Sequence, residues 1–520
     1  MARYFNTTGP CDPELHYMLP PEERLVGAEL GRYIESRLYW VLHAPRQTGK
    51  TTFLQSWMRT INSGDQAIAC YVTVERCQGI SDAERAMPAL CQAIIASARS
   101  TLQPSMVPAM PTTDPLSMLD SIMSEWARLV APKPLVVLFD EVDILQDQAL
   151  VSFLRQLRGG FATRGIGKFP VSVALVGMRD LRDYLIRSKD GVPVNPGSPF
   201  NIKEDSASLS NFSPQDLATL VGQHSTETGQ AFEEAALARI WELTRGQPWL
   251  TNSLLKLCTW KLCPRGETVT IAHIEEAKEL LIQARAVHLD SLSERLRDPR
   301  IQRIVETIMV GESDPTLTQG DDFVLACDLG LVAKEGGSPV IANPIYREVI
   351  ARVLSQGMQD AIPAPEFRWQ RPDGGIDMEA LLREFQDFWA QNADIWEEKS
   401  DYTEAFPHLL LMAFLQRVIN GGGRIDREYA AGRGRVDLAV RFGGHWSVIE
   451  VKLVSRQGRA RIVEQGLKQV IRYRDSIDRA ADAWLVVFDR TPAGRAKSWS
   501  ERLSWDSVAC EGGTVTVVGG

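Results

Sequence analysis

Residues 39–52 read Tyr39-Trp40-Val41-Leu42-His43-Ala44-Pro45-Arg46-Gln47-Thr48-Gly49-Lys50-Thr51-Thr52. The first five make a short apolar run closed by turn residues, which is the pattern of a buried strand. The turn leads into Gly49-Lys50-Thr51-Thr52, the start of a helix expected to run through Trp57. Strand, turn and helix in this order form a phosphate-binding loop. Backbone N–H groups of Gln47, Thr48, Gly49 and the helix start at Thr52 are placed to cradle phosphate oxygens, and Lys50 to reach the β- and γ-phosphates. The Thr51 hydroxyl is a Mg²⁺ ligand in that reading, so ATP and Mg²⁺ are the expected cofactors. Ala44 stands where the strict pattern has its first glycine.

A second run, Leu135-Val136-Val137-Leu138-Phe139, is apolar throughout, as strands of a parallel sheet are, and ends in Asp140-Glu141-Val142-Asp143. Asp140 is expected to hold the Mg²⁺ shell and Glu141 to polarise the attacking water. The run Val171 to Val176 ends in Gly177-Met178-Arg179-Asp180, which puts Arg179 at the same sheet edge as a sensor of the γ-phosphate. Arg155, Arg158 and Arg164, on or after the intervening helix, are candidates for arginine fingers in a homo-oligomer built through this domain. With Ile68 to Val74 as a further strand, the first 200 or so residues alternate strand and helix. This predicts an α/β fold with a parallel sheet, helices on both faces, and ligand at the strand C-termini.

The chain has 520 residues, 44% of them hydrophobic and 24% charged, with a net charge of −9. That length predicts several domains with ample core. No stretch of about 18 uninterrupted apolar residues is present, and the first residues lack a basic segment followed by an apolar one. A cytoplasmic protein without membrane association is therefore expected. The eight cysteines (11, 70, 77, 91, 258, 263, 327 and 510) contain no Cys-x-x-Cys pair and fall mostly in apolar runs, so they are read as reduced core residues. The net negative charge opposes indiscriminate coating of nucleic acid. Between Gly421 and Asp475, however, 12 Lys/Arg face 6 Asp/Glu, a local basic excess.

From Ser210 to about Ala286 the pattern turns helical, interrupted by Gly246-Gln247-Pro248-Trp249-Leu250. Here the chain resembles AAA-like ATPases related to the origin-recognition and STAND groups. The resemblance implies a helical lid in which Gly246 and Pro248 close the adenine pocket. Beyond it, helices at Ile301 to Val310 and Asp322 to Leu329 and a Gly336-Gly337 hairpin suggest a winged-helix-like module. Asp321, Asp322 and Asp328 make its second helix too acidic to lie against phosphates, which favours a regulatory or packing role.

Breakers such as Ile362-Pro363-Ala364-Pro365 and Arg371-Pro372-Asp373-Gly374-Gly375 mark a linker. After it come two apolar runs carrying acids, Val436-Asp437-Leu438-Ala439-Val440 and Trp446-Ser447-Val448-Ile449-Glu450-Val451-Lys452, separated by the turn Gly443-Gly444. Adjacent strands so joined bring Asp437 and Glu450 to one end of a sheet, where paired carboxylates hold Mg²⁺. Lys452 falls on the strand face of Glu450, because side chains alternate with period two. Arg433 and Arg435 are placed to grip phosphate.

The predicted order here is a helix (Tyr402 to Ile419), a strand (Arg424 to Tyr429), the Asp437 and Glu450 strands, a helix (Arg459 to Asp475) and a strand (Trp484 to Phe488). It is similar to the core of the PD-(D/E)XK nuclease superfamily. That resemblance implies phosphodiester hydrolysis, with Asp437 and Glu450 as metal ligands, the Val451 carbonyl joining them, and Lys452 orienting the attacking water. Glu404 and Glu428 compete as a further acidic ligand. Gln469 and Tyr473 match the Gln-x-x-x-Tyr element of one nuclease branch and imply nucleic-acid contact.

Taken over its length, the chain resembles bacterial AAA-like ATPases fused to such a nuclease. The expected organisation is an ATPase core at 1–205, a helical lid at 206–286, a winged-helix-like module at 287–356, a linker at 357–375 and a nuclease-like domain at 376–520. The implied function is an ATPase that controls a metal-dependent nuclease acting on DNA rather than RNA, in defence or mobile-element biology. The alternative is a signalling or scaffold ATPase whose nuclease fold only binds nucleic acid or a partner.

Overall fold

The computed structural model describes residues 3–27, 29–178, 186–187, 193–194, 203–283, 294–310, 317–359, 371, 375–398, 411, 414–415, 424–431, 434–442, 445–454, 459–477, 481–489, 491–495, 497–510 and 512–519. Two compact units emerge, one from Met1–Ala284 with Gln319–Ala333 and one from Arg285–Thr318 with Lys334–Gly520.

The first unit is built on a six-stranded sheet. Its elements are β1 (Leu25–Val26), α1 (Leu30–Glu35), β2 (Tyr39–His43), α2 (Lys50–Ser63), β3 (Ile68–Thr73), α3 (Ala83–Thr101), α4 (Pro115–Leu129), β4 (Leu135–Asp140), α5 (Asp147–Phe161) and β5 (Ser172–Gly177). A small ribbon of β6 (Ile186–Arg187) and β7 (Pro193–Val194) precedes β8 (Lys203–Leu209). The sheet order is β1-β8-β2-β5-β4-β3, parallel from β8 to β3, with β1 antiparallel at the edge. Successive residues of β2 face opposite layers: Tyr39 and Val41 pack with α3, α4 and α5, while Trp40 and Leu42 pack with α1 and α2. Burial on both faces is why these strands read as continuous apolar runs rather than alternating ones.

Four helices follow: α6 (Pro214–Thr228), α7 (Glu234–Thr244), α8 (Pro248–Leu257) and α9 (Ile271–Gln283). Ser213 and Asp216 form a capping box at the start of α6, which satisfies the exposed amides there. Beyond α10 (Pro299–Val310) lies the acidic α11 (Asp321–Asp328). This helix and the turn after it pack at the base of the loop between β2 and α2: Asp328 Oδ1 is 3.8 Å from His43 Nδ1, and a Cβ on Gly330 would stand 2.7 Å from Pro45. Strands β9 (Val332–Glu335) and β10 (Ser338–Ile341) form the expected hairpin, and α12 (Pro344–Gln359) follows.

The second unit has its own six-stranded mixed sheet, order β11-β12-β13-β14-β16-β15. It comprises α13 (Met378–Glu398), β11 (Arg424–Ala431), β12 (Gly434–Phe442), β13 (His445–Val454), α14 (Arg459–Ile477), β14 (Asp482–Asp489), β15 (Trp505–Cys510) and β16 (Gly513–Gly519). The first three strands are antiparallel, β13, β14 and β16 are parallel, and β15 closes the edge antiparallel to β16. Helix α14 links β13 to its parallel neighbour β14 and covers a core that includes Val448, Val470, Leu485 and Val517. The helix expected over 402–419 and the turn at Gly443-Gly444 lie outside the described residues, apart from helical positions Leu411, Phe414 and Leu415. Helix α13 and strands β15 and β16 are additions to the elements expected from the sequence.

Among the described residues no helix is long and apolar enough to cross a membrane. The eight cysteines are unpaired, and burial pushes the Cys70, Cys91 and Cys258 thiols up to about 12.

Candidate functional site

The ends of β2, β4 and β5 meet at one sheet edge, because β5 stands between the other two and pairs His43 with Gly177 and Phe139 with Leu175. From β2 the chain passes through buried Ala44 into the loop and enters α2 at Lys50. The loop needs left-handed backbone at two places, Gln47 with φ 59° and Gly49 with φ 97°. Gly49 adopts that conformation without penalty because it has no Cβ. Lys50 folds back across the loop and donates through Nζ to the carbonyls of Ala44 (2.8 Å) and Pro45 (2.9 Å). Thr48 is buried and donates to the Pro45 carbonyl at 2.9 Å, closing the loop on itself.

Thr51 Oγ1 donates to Asp140 Oδ2 at 2.7 Å. Asp140, 1% exposed, also accepts at Oδ2 from the Tyr71 hydroxyl (3.2 Å) and at Oδ1 from the Glu141 amide (3.0 Å). A hydroxyl and a carboxylate in direct contact suit a Mg²⁺ ion, which takes one or two protein oxygens and completes its shell with phosphates and water. Among the described residues no group of three or more His, Cys, Asp or Glu is placed to hold a metal. Any Mg²⁺ at this edge would therefore take most of its ligands from nucleotide and water.

Glu141 has φ 60°, an uncommon conformation for a side chain of its size. Loss of hydration first, then the charges of Asp140, Glu75 and Asp143, push its carboxyl above the usual range, with Lys50 opposing. Loss of hydration also raises Asp143, again against Lys50. Arg179 lies outside the described residues. Of the finger candidates, Arg155 and Arg158 are exposed on α5. Arg164 turns inward, donating to the carbonyls of Arg37 and Phe161 and stacking on the Phe161 ring.

The Gly246-Gln247-Pro248 turn reaches the loop. Gln247 Nε2 lies 3.5 Å from the Gln47 carbonyl, while its Oε1 caps α8 by accepting from the Leu250 amide. Gly246 has φ 71°, and a Cβ there would stand 1.9 Å from the Phe212 carbonyl oxygen. Pro248 is buried at the first position of α8, where its missing N–H costs nothing. The N-terminal segment spans the same region. Cys11 N–H donates to Thr52 Oγ1 at 3.0 Å, and the carbonyls of Asn6 and Thr7 accept from Asn252 and Trp249 of α8. Tyr71, Arg24 and Gln247 join the site without having been expected there; only Gln247 carries a local signal, as the middle of the Gly-x-Pro turn.

In the second unit, β13 carries Glu450, 2% exposed, and Lys452, whose Nζ donates to Glu450 Oε1 at 2.7 Å. Strand β12 pairs Leu438 with Ile449, so continuing that register sets the backbone of Asp437 opposite Glu450. The side chains of Asp437, Arg435 and Glu428 are outside the described residues, as are Arg433 and Glu404 altogether. Helix α14 lies close here, since a Cβ on Gly466 would be 3.3 Å from Lys452 Cγ and 2.6 Å from Leu485. On α14, Gln469 is half-buried, its Oε1 without a hydrogen-bond partner among the described residues, and Tyr473 belongs to the hydrophobic core.

The first unit is thus an α/β fold with a largely parallel sheet and a tight turn between β2 and α2 at its strand ends. No protein-family model matches the chain, and no curated protein is similar to it in sequence. Among solved structures it is similar to a Walker-type ATPase of Pyrococcus abyssi at 15% identity, covering 66% of this chain and 99% of that one, with a TM-score of 0.46. It is similar to the Aeropyrum pernix ORC2 protein, in ADPNP-ADP complexes, at 14% identity over 63% of this chain and 91% of that one, TM-score 0.37. The Thermotoga maritima RuvB Holliday junction branch migration motor matches at 13% identity over 62% and 92%, TM-score 0.32.

Gly246→Ala should destabilise the first unit by about 2–4 kcal/mol, combining left-handed strain with overpacking against backbone. Denaturant unfolding followed by tryptophan fluorescence reads this directly; an unchanged midpoint would show that the turn has room to relax around a methyl group.

Proposed function

We propose that the chain binds and hydrolyses ATP with Mg²⁺ at the edge of the first sheet, and that this cycle controls a Mg²⁺-dependent nuclease in the second unit acting on DNA. The observation that carries the ATPase part is the Thr51–Asp140 hydrogen bond beside Lys50, which joins the first turn of α2, the helix that follows β2, to the end of the non-adjacent strand β4. In this reading the amides of Gln47, Thr48, Gly49 and Thr52 hold phosphate oxygens, and Lys50 leaves the loop carbonyls for the β- and γ-phosphates. Thr51 and Asp140 would hold Mg²⁺, which supplies charge neutralisation on the phosphates. Glu141 takes the proton of the attacking water as its oxygen bonds to the γ-phosphorus and the bond to the β-phosphate oxygen breaks. Gly246 and Pro248 flank the base, and Arg179 senses the γ-phosphate.

Glu450 and Lys452 on β13, with Asp437 across the strand pair, support the nuclease part. Glu450 and Asp437 would hold the metal, which activates water and polarises the phosphate. Lys452 would orient that water, while Arg433, Arg435 and Gln469 bind the nucleic-acid backbone and Tyr473 braces the helix. The protein would work in the cytoplasm as a homo-oligomer assembled through its ATPase unit. The alternative, a scaffold ATPase whose second unit only binds nucleic acid or a partner, draws on the ion pair in which Lys452 engages Glu450 Oε1 at 2.7 Å.

Lys50→Ala should abolish ATP binding in calorimetric titration, and Glu141→Gln should bind ATP yet turn it over at least about a hundredfold more slowly. Unchanged turnover in both would remove the site assignment. Glu141 must be ionised to act, and its carboxyl titrates above the ordinary 4.5. The kcat/KM for ATP, which reports the free enzyme, should therefore fall on acidification with an acid limb that Glu141→Gln lacks. For the nuclease, purified protein with Mg²⁺ or Mn²⁺ should cut DNA in a nucleotide-dependent manner, and Asp437→Ala and Lys452→Ala should each lose cutting. Nucleotide-dependent DNA binding without cleavage under any metal would leave the scaffold reading standing.

A further inference from the structure

Arg24 lies in the turn before β1, far from the loop in sequence, yet its guanidinium sits against it. It is 7% exposed and has no ion-pair partner among the described residues. Its side-chain hydrogen bonds end on backbone carbonyls: Nη2 donates to Thr48 (2.7 Å) and Ser210 (2.6 Å), and Nε to Ser210 (3.0 Å). A Cβ on Gly49 would stand 3.3 Å from its Nη1. The rest of the residue is anchored as well. The Ser210 amide donates to the Arg24 carbonyl at 2.9 Å, and the guanidinium lies over the Phe212 ring at 4.8 Å. Phe212 in turn donates its amide to the Gly246 carbonyl at 2.8 Å, and the turn returns to the loop through Gln247.

Peptide geometry gives this contact a consequence. In a trans peptide the C=O and the following N–H point in opposite directions. A Thr48 carbonyl held by Arg24 therefore turns the Gly49 N–H away from Arg24. Burial lowers the Arg24 guanidinium to about 10, so it remains a cation at neutral pH. The two backbone carbonyls and the Phe212 ring hold this buried cation at close range, with the Asp216 charge supporting it from further off, and no carboxylate is seen at ion-pair distance among the described residues.

We propose that Arg24 is a positioning residue for phosphate recognition: it fixes the Thr48–Gly49 peptide with the Gly49 N–H toward the phosphates and couples that orientation to the Ser210–Phe212–Gly246 hinge of the helical lid. The proposal rests on the reading of this loop as an ATP site. Lysine keeps the charge but lacks the planar fork that holds the Thr48 and Ser210 carbonyls at fixed angles, and glutamine removes the charge.

The test titrates ATP with Mg²⁺ into the full chain as wild type, Arg24→Lys and Arg24→Gln, with Lys50→Ala as the loss-of-site control. ATP affinity should fall about tenfold in Arg24→Lys and about a hundredfold in Arg24→Gln. KM for ATP should rise in Arg24→Lys while kcat stays within about threefold. ATP should slow amide exchange at Ser210 and Phe212 in the wild type and not in Arg24→Lys, a readout that a merely structural role would not move. Affinity within about twofold of wild type in Arg24→Lys, with or without a lowered unfolding midpoint, overturns the proposal. Should Arg24→Gln not fold, the affinity and exchange of Arg24→Lys decide the matter alone. Wild type that binds no ATP overturns the site reading itself, whereas wild-type binding with an indifferent Arg24→Lys overturns only the role of Arg24.

Discussion

The hydrogen bond from Thr51 to Asp140 is the constraint on which the first unit turns. Its partners are far apart in the chain: Thr51 starts the helix that follows β2, Asp140 ends β4, and β5 separates those two strands. The bond can form only if three parallel strands end level with one another. Register in such strands is fixed by burial on both faces, with Trp40, Leu42, Val136, Val137 and Leu138 all at 1% exposure or less. A slip of one residue would exchange the two layers of the core and carry Asp140 away from α2. The site is therefore a by-product of packing: helices that bury the sheet also level its edge.

This dependence explains what could be read in the chain. The loop is legible because its chemistry is local; Gly49, Lys50 and Thr51 adjoin a strand and begin a helix, and each needs only its neighbours. Asp140 is legible because an acid breaks an otherwise apolar strand at its end. Tyr71 and Arg24 are not legible, since nothing within a few residues of either marks it. Tyr71 becomes a partner of Asp140 only because β3 lies beside β4, and Arg24 meets Ser210 across 186 residues of sequence.

The second unit shows the same division. Strands β12 and β13 are legible from their apolar runs and the acids they carry. Helix α13 is harder to see, although Asp377 caps its start by accepting from the Ala380 amide. A single Asp so soon after Pro372-Asp373-Gly374-Gly375 reads as more of the same turn-forming linker, and the cap is lost among the breakers. Strand β15 is hidden for another reason: at the sheet edge, three of the six residues Trp505–Cys510 are exposed and none is fully buried, so its pattern resembles a loop. Edge strands are short and polar to avoid pairing with other chains, and the same polarity conceals them in a sequence.

The two units also treat buried charge in contrasting ways. Glu450 is almost wholly enclosed, and Lys452, two residues along the same strand face, meets it at 2.7 Å. Their mutual attraction offsets part of the cost of taking the carboxylate out of water, while Lys452 stays partly exposed. Arg24 has no such partner among the described residues, and the fold surrounds it with carbonyl dipoles instead. Dipoles stabilise a cation less than a carboxylate would, so Arg24 keeps a field that an anion brought to the other side of the loop can use. A carboxylate at hydrogen-bond distance would have made Arg24 a better structural residue and, in the proposed reading, a worse neighbour for a bound anion, because it would cancel the charge that such an anion could use.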